Sequence, residues 1–226
     1  QAYLGEFYNL TPHMETGPAP ARDCRYERLL RDGYKEVARY EYRNIEGEVA
    51  HVTVRLQHPD KPGKEFVQGH PDERGGIVWT LKGVSTVLYN ASTISKSSWV
   101  ALCEGEKSAD RLAALGIPAT TSPMGAGKWR DDYSESLRDK DVAIFPDNDE
   151  PGREHSQIVA AALHGIARTI KIVGPLATAP KGGVDDWLDE SPSNNKAALL
   201  AAISAAPAWA PPTTSSTGPS DTQLAE

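Results

Sequence analysis

The 226-residue sequence predicts an α/β protein in which a parallel sheet flanked by helices follows a smaller β-rich domain. Three observations support this class. The chain is longer than the roughly 100 to 150 residues of a single domain. Before residue 98, apolar residues recur at every second position, as in half-buried strands. After it, short apolar runs alternate with helical segments, the order typical of a parallel sheet covered by helices.

We expect four segments along the chain, at 1–36, 37–97, 98–206 and 207–226. The first is irregular and becomes helical from residue 21. Five basic residues there are spaced by three and four positions and would form one stripe on a helix: Arg22, Arg25, Arg28, Arg31 and Lys35. Because acidic residues interleave with them, the stripe is either an ordinary solvated face or a face that contacts phosphates.

The second segment predicts a small β-rich domain. A hairpin is expected from two runs with a period of two: Tyr40 and Tyr42 alternate with charged residues, and Val52, Val54 and Leu56 alternate with polar ones. Further strands are expected at 64–67 and 76–81, separated by a turn-rich stretch at 70–76.

The third segment predicts alternating strands and helices. Strands are expected at 99–103, 117–121, 141–146 and 169–173. Helices are expected from Lys107 to a stop at Gly116, at 133–137, at 151–163 and after Pro192. The fourth segment is rich in Pro, Ser and Thr and is expected to be a disordered tail.

Composition excludes several classes of protein. The longest apolar runs, such as 197–203, are far shorter than the roughly 20 residues of a membrane span, and the start lacks the pattern of a secretory signal. Cys24 and Cys103 lie far apart, with no His or Cys at zinc spacing, so neither a disulfide framework nor a zinc site is indicated. We expect a protein of the cytoplasm, without membrane contact.

The acidic excess lies in the second half of the chain. The sequence has 24 Lys plus Arg and 31 Asp plus Glu, a net charge of -7; residues 1–97 hold 13 of each sign, which leaves 11 basic and 18 acidic residues in 98–226. Acidic residues follow three predicted strands: Glu104, then Asp147 and Asp149, then, after a loop, Asp185 and Asp186. Because ligands bind beyond the carboxyl ends of parallel strands, these groups are expected to converge and to suit a hard divalent cation.

Three motifs make the sequence recognisable. Cys103-Glu-Gly-Glu-Lys-Ser-Ala-Asp-Arg-Leu112, Asp147-Asn-Asp-Glu-Pro-Gly-Arg153 and Gly182-Gly-Val-Asp-Asp-Trp-Leu188 closely resemble the motifs of the Toprim domain, which is shared by DnaG-type primases, topoisomerases and some nucleases. The resemblance covers about residues 98–190. The preceding segment resembles the one before Toprim in primase-like replication proteins of phages and plasmids.

The resemblance implies a function and a set of roles. It implies a DNA primase that makes RNA primers from NTPs on a single-stranded DNA template, with Mg²⁺ or Mn²⁺ and with a replicative helicase as a partner. Asp147 and Asp149 would be metal ligands, Glu104 a ligand or proton acceptor, and Asp185 with Asp186 a second metal position. The alternatives are a Toprim-type nuclease and a non-catalytic module that binds DNA or helicase.

Two departures from the family pattern are present, and several other residues are candidates near the site. DnaG-type primases carry an Asp where this chain has Ser108, and no zinc module for template recognition is present in the sequence. Phosphate-contacting candidates are Lys107, Lys128, Arg130 and Arg153, while Gly105 and Gly152 are expected to permit close backbone approach. The glycine-rich run at 124–129 does not match the Walker pattern. That pattern requires Gly at its first position and Ser or Thr at its last, where this chain has Ser122 and Trp129.

Overall fold

The computed structural model describes residues 24–212 apart from 124 and 126. The predictions made for Arg22, for the rest of 1–23 and for 213–226 lie outside the described residues. Two four-stranded sheets follow each other along the chain, the first antiparallel and the second parallel with helices on its faces. The predicted fold class is therefore confirmed.

The first sheet has the strand order β1-β2-β3-β4 and is preceded by a short helix. The elements are α1 (Arg25–Arg31), β1 (Lys35–Arg43), β2 (Val49–Gln57), β3 (Glu65–Pro71) and β4 (Ile77–Val78). The helix ends earlier than predicted because Gly33 adopts a φ of +89°, which turns the chain into β1. Lys35 therefore lies on a strand, and the predicted basic stripe does not extend to it.

Strand β2 is buried on both faces, which its alternating sequence did not predict. Val54 and Leu56 pack with Val67 on one face, beneath Tyr26 and Trp79. On the other face His51 and Thr53 are buried as well. The reason is that β2 lies in the middle of the sheet and the second half of the chain covers the face that carries its polar residues.

The turn between β3 and β4 is shorter than predicted. His70 and Pro71 continue β3 and pair with Val78 and Ile77 of β4. The turn is confined to 72–76, where Asp72 Oδ1 accepts a hydrogen bond of 2.6 Å from Gly76 N. The predicted strand at 76–81 is therefore reduced to two residues.

The second sheet has the order β6-β5-β7-β8, and all its strands are parallel. The strands are β5 (Trp99–Cys103), β6 (Ala119–Thr120), β7 (Asp141–Phe145) and β8 (Thr169–Ile172). The helices are α2 (Ala91–Ile94), α3 (Glu106–Ala114), α4 (Asp131–Glu135), α5 (Glu150–Leu163), α6 (Val184–Glu190) and α7 (Lys196–Ala205). Of these, α2 and α6 were not predicted.

Each face of the parallel sheet has its own core. One is built from α3, α6 and α7 and includes Leu112, Leu188 and Leu199. The other is built from α2, α4 and α5 and includes Ile94, Tyr133 and Leu163. The burial of such side chains on both faces is what fixes a parallel sheet between helices.

The first sheet joins the first of these cores. Tyr40 and Tyr42 of β1 belong to the same cluster of buried residues as Leu112 of α3. The Tyr42 hydroxyl donates a hydrogen bond of 2.8 Å to Glu106 Oε1, at the start of α3. The antiparallel sheet is thereby held beside the strand end that precedes α3.

The start of the predicted disordered tail is ordered. Trp209 N donates a hydrogen bond of 2.7 Å to Ile170 O, and its ring nitrogen donates to Gln157 Oε1 at 2.8 Å. Ala208 forms a bridge to Lys171 of β8. A single Trp therefore anchors a segment whose composition predicts disorder.

Among residues 24–212, no helix combines the length and apolarity that a membrane crossing requires.

Candidate active site

The carboxyl edge of the parallel sheet brings Glu104 and Asp147 together. Strands β5 and β7 are neighbours in register, with Cys103 opposite Phe145, so both chains leave the sheet at the same edge. The backbone N–H of Asp147 donates to Glu104 Oε2 at 3.3 Å. Thr121, which follows β6, donates its hydroxyl to the Glu104 carbonyl at 3.0 Å and fixes this turn.

Asp149 is held at the first turn of α5. It is the N-cap residue of that helix, and its Oδ1 accepts a hydrogen bond of 2.8 Å from Gly152 N. Pro151 in the first turn favours a helix start at this point. One carboxylate oxygen of Asp149 is used by the cap, and the other is left for a ligand.

Gly152 allows the close packing of this edge. A Cβ added there would lie 2.8 Å from Glu104 Oε2 and 2.8 Å from the Asp147 carbonyl oxygen, closer than real Cβ contacts. At Gly105, by contrast, an added Cβ would meet no atom within 4 Å. The protein's own packing therefore requires glycine at 152 and does not require it at 105.

Asp185 and Asp186 follow the loop after β8 and lie in the first turn of α6, a helix that was not predicted. Asp185 is only 5% exposed; its Oδ2 lies 2.6 Å from Lys107 Nζ, and its Oδ1 accepts the hydroxyl of Ser108. Asp186 accepts a hydrogen bond of 3.0 Å from Gly183 N and lies 3.7 Å from the same ammonium. Both carboxylates of this pair thus already have partners.

Asn148, which the sequence did not single out, fixes the loop before α6. Its Nδ2 contacts the carbonyls of Ala177, Thr178 and Ala179 at 3.1 to 3.3 Å. Its backbone N–H donates to Gly182 O at 3.0 Å. The residue between the two aspartates therefore positions the loop that delivers Asp185 and Asp186. Its position between two candidate ligands was the only sequence signal available.

The carboxylates interact strongly through a partly buried environment. Burial, followed by repulsion from Glu104, Asp149, Asp185 and Asp186, raises the pKa of Asp147 to about 7. Burial and the Asp149 charge also raise the pKa of Glu104. Burial acts to raise the pKa of Asp185 as well, but the Lys107 ammonium and the Ser108 hydroxyl outweigh it and leave this pKa below its ordinary value.

The side chains at this edge offer the type of donor atom that a hard divalent cation prefers. It consists of carboxylate oxygens, and the raised pKa of Asp147 reflects an excess of negative charge that a cation would neutralise. Within residues 24–212, apart from 124 and 126, no three His, Cys, Asp or Glu side chains converge as a ready-made metal site. Mg²⁺ sites commonly use only one or two protein carboxylates, with water and substrate phosphate as the remaining ligands.

A groove of about 700 Å³ opens from the acidic edge and runs along the first sheet. Glu104 and Asp147 line one end. Three basic residues of the first half of the chain line the remainder, together with Phe66 and Trp79: Arg25, Lys64 and Lys82. Phe66 is 38% exposed, with Lys64 Nζ 6.0 Å from its ring centre. The groove therefore joins an acidic end to a wall of cations and aromatic rings.

These groove cations differ in how they are paired. Arg25 forms an ion pair with Glu65 and also donates to Phe66 O at 3.0 Å. Lys64 and Lys82 are exposed, and neither forms an ion pair in the described part of the chain. The net charge of residues 1–97 is zero, so composition alone did not predict that three basic residues share one groove.

The predicted phosphate-contacting residues of the second half are mostly paired. Lys107 forms an ion pair with Asp185. Arg130 Nη2 lies 2.6 Å from Asp132 Oδ2, and Arg153 Nη2 lies 3.0 Å from Glu150 Oε2. Lys128 is exposed and has no such partner among the residues that the structure describes. Of these four candidates, Lys128 is thus the one whose charge is not already neutralised.

His155 anchors the glycine-rich loop, a role that its sequence position did not indicate. Its Nδ1 accepts a hydrogen bond of 3.1 Å from Gly127 N, and burial lowers its pKa, which keeps the ring neutral and able to accept. Gly125 of the same loop lines the groove. Trp187 packs against the core on one face of the parallel sheet and Trp129 against the core on the other.

Comparison with known proteins gives one relative in sequence. No protein-family model matches the chain. Gene 57 protein of Mycobacterium phage D29 is 36% identical over 86 residues, which are 37% of this chain and 56% of the phage protein. The match therefore spans little more than half the length of that protein.

Solved structures give the fold. The Aquifex aeolicus primase, with zinc-binding and RNA polymerase domains, matches with a TM-score of 0.54 at 17% identity, over 81% of this chain and 47% of that one. A DNA primase domain from Pseudomonas aeruginosa matches with a TM-score of 0.55 at 16% identity, over 81% and 60%.

A bacteriophage T7 structure also matches, in which lagging-strand DNA polymerase interacts with primase domains of two gp4 subunits bound to an RNA/DNA hybrid and dTTP. Its TM-score is 0.50 at 14% identity, over 78% of this chain and 79% of that one. At such identities the likeness concerns architecture, so the conclusion is structural: this chain has a primase-like fold.

Proposed function

We propose that the chain is the catalytic core of a DNA primase and makes RNA primers on single-stranded DNA in phage or plasmid replication. In this proposal residues 98–190 form a Toprim-type site. The observation that carries it is a group of three interacting carboxylates, Glu104, Asp147 and Asp149, of which the first two line a groove that also holds basic and aromatic side chains. The primase-like fold supports the same function.

The proposal assigns Asp147 and Asp149 to a divalent cation, Mg²⁺ or Mn²⁺. They lie between the end of β7 and the first turn of α5, both are half-buried, and Asp147 lines the groove. Bound there, the cation would supply positive charge for the phosphates of an incoming NTP. Asn148 and Gly152 position these two residues and take no part in the chemistry.

Glu104 is proposed as the proton acceptor. In primer synthesis a ribose 3′-hydroxyl attacks the α-phosphorus of an NTP, a phosphodiester bond forms and pyrophosphate leaves. The hydroxyl proton must be taken up as this happens, and a carboxylate with a raised pKa holds it better than an ordinary one. Glu104 Oε1 is free of the backbone hydrogen bond that Oε2 accepts, so this oxygen is assigned to the proton.

The groove is proposed to hold the template and the nucleotide. Lys64 and Lys82 neutralise phosphates, and Phe66 offers a ring face on which a base can stack. Single-stranded DNA and NTPs are thus the proposed partners. The replicative helicase expected from the family resemblance stays a prediction, to which we assign no surface.

A primer-synthesis assay tests the proposal. Labelled NTPs, single-stranded DNA and Mg²⁺ or Mn²⁺ are incubated with the wild type and with Glu104→Gln, and both new oligomers and template cutting are scored. We expect oligomers from the wild type and a loss of at least about 100-fold in Glu104→Gln, within the range of a lost general base. Cutting without oligomers, lost in the same variant, would instead identify a nuclease.

A further inference from the structure

Lys107 occupies the place between the two acidic groups of α6. Its Nζ lies 2.6 Å from Asp185 Oδ2 and 3.7 Å from Asp186 Oδ1. The lysine itself is exposed, whereas Asp185 is 5% exposed. One ammonium therefore bridges a buried and a partly exposed carboxylate.

The remaining oxygen of Asp185 is also engaged. Its Oδ1 accepts the hydroxyl of Ser108, which is itself buried. A cation at Asp185 would have to displace Lys107 from one oxygen or Ser108 from the other. In either case a buried carboxylate would exchange an existing partner for the cation. Where Lys107 is the partner displaced, its ammonium would also be left beside a divalent charge.

The carboxylate that holds Lys107 also lies near Asp147. A Cβ added at Gly183 would lie 2.8 Å from Asp147 Oδ1 and 2.9 Å from Asp185 Oδ1. The two carboxylates thus face the same point at the start of α6. The ammonium of Lys107 is therefore fixed on the carboxylate that faces Asp147 across the start of α6.

We propose that Lys107 is a built-in cation that replaces a second metal ion, so that the chain binds one divalent cation and not two. The inference rests on the proposed function, because it takes Asp147 and Asp149 as the position of the single ion. It assigns Asp185 and Asp186 to positioning Lys107 through α6. Lys107 is accordingly a positioning residue of the metal site and not a phosphate ligand.

Counting bound Mn²⁺ tests this directly and needs no activity. Equilibrium dialysis of the full chain, with free Mn²⁺ read by its electron paramagnetic resonance signal, gives the number of ions bound. We expect one Mn²⁺ in the wild type and in Lys107→Arg, and two in Lys107→Ala and Lys107→Gln. Arg111→Ala is the matched control. Arg111 also joins α3 to α6, because its Nη2 lies 2.9 Å from Asp189 Oδ1, and the substitution removes the same charge as Lys107→Ala.

The outcomes separate the inference from the function. Two ions in the wild type would overturn the inference and leave the proposed function standing, and this count decides the matter even where an alanine variant does not fold. One ion in a folded Lys107→Ala would overturn it too. No ion in the wild type, or an unchanged count in Asp147→Asn, would overturn the proposed metal site together with the inference.

Discussion

The backbone N–H of Asp147 donates to the side chain of Glu104, across the two central strands of the parallel sheet. This contact joins the turn after β5 to the turn after β7 at a separation of 3.3 Å between Asp147 N and Glu104 Oε2. It places the proposed proton acceptor beside the proposed cation ligand. Because it uses backbone on one side, the contact survives changes of the Asp147 side chain.

The charge of Asp147 is expected to destabilise the fold in the absence of metal. Its pKa is raised to about 7 in the folded protein, whereas an unfolded Asp titrates at about 4. Between these values the folded protein keeps a proton that the unfolded chain loses. The free energy of unfolding should therefore fall as pH rises from about 4 to about 7 and stay low above it.

Asp147→Asn should remove this penalty. At pH 8, with EDTA present, we expect the variant to be more stable than the wild type by on the order of 1 kcal/mol, allowing for solvent around a partly exposed group. At pH 4 the two should be equal. Thermal unfolding at both pH values measures this, with the exposed Asp60→Asn as control. A gain of equal size at pH 4 and pH 8 would contradict the electrostatic explanation.

Gly152→Ala is expected to disturb the acidic edge through contact alone. The added methyl group would collide with Glu104 Oε2 and with the Asp147 carbonyl. Since one of the two is backbone, we expect a loss of about 1 to 3 kcal/mol in the free energy of unfolding. Gly105→Ala, in open space, should leave denaturant unfolding unchanged. Equal effects of the two variants would show that the packing at Gly152 is not tight.

Tyr42→Phe should weaken the attachment of the first sheet to α3. It removes a hydrogen bond of 2.8 Å and deprives the Glu106 carboxylate, whose pKa burial already raises, of its side-chain donor. We expect a loss of about 1 to 3 kcal/mol by urea unfolding. Tyr34→Phe is the control, because the Tyr34 hydroxyl has no hydrogen-bond partner among the described residues. The same small effect from both substitutions would show that the Tyr42 hydroxyl does not hold the first sheet to α3.

Lys82→Ala should weaken binding of single-stranded DNA. Lys82 lines the groove and is not neutralised by an ion pair there. Loss of one phosphate contact should lower the slope of log affinity against log salt by about 0.7. Fluorescence anisotropy over a salt series measures the slope. Lys61→Ala is the control, because it removes an exposed charge outside the groove and should keep the wild-type slope. A slope that is reduced in Lys61→Ala and unchanged in Lys82→Ala would show that the DNA binds outside the groove.

The sequence predicted those parts of the site that follow directly from strand ends. Glu104 and Asp147 each come just after an apolar run, and parallel strands deliver such residues to one edge. The positions of Asp185 and Asp186 could not be predicted in the same way, because α6 has only seven residues and no visible period. The pairing of Lys107 with Asp185 joins residues 78 positions apart and follows only from the packing of α3 against α6.

Burial of polar residues was the other feature beyond reach of the sequence. His51 looks like a solvent-facing strand residue, yet it is 0% exposed and stacks on Tyr42, with ring centres 4.2 Å apart. Its burial depends on the second half of the chain covering that face of β2. Trp209 is a similar case, since its contacts to Ile170 and Gln157 exist only once β8 and α5 are in place.

Primer synthesis by Asp147→Asn is the sharpest test of whether the acidic edge of the parallel sheet is the active site. We expect the variant to be more stable than the wild type at pH 8 and yet to make at least about 100-fold fewer oligomers, because the lost carboxylate is a proposed ligand of the cation. Asp60→Asn should keep the wild-type yield. Wild-type yield from a folded Asp147→Asn would contradict the claim that this edge of the sheet is the active site.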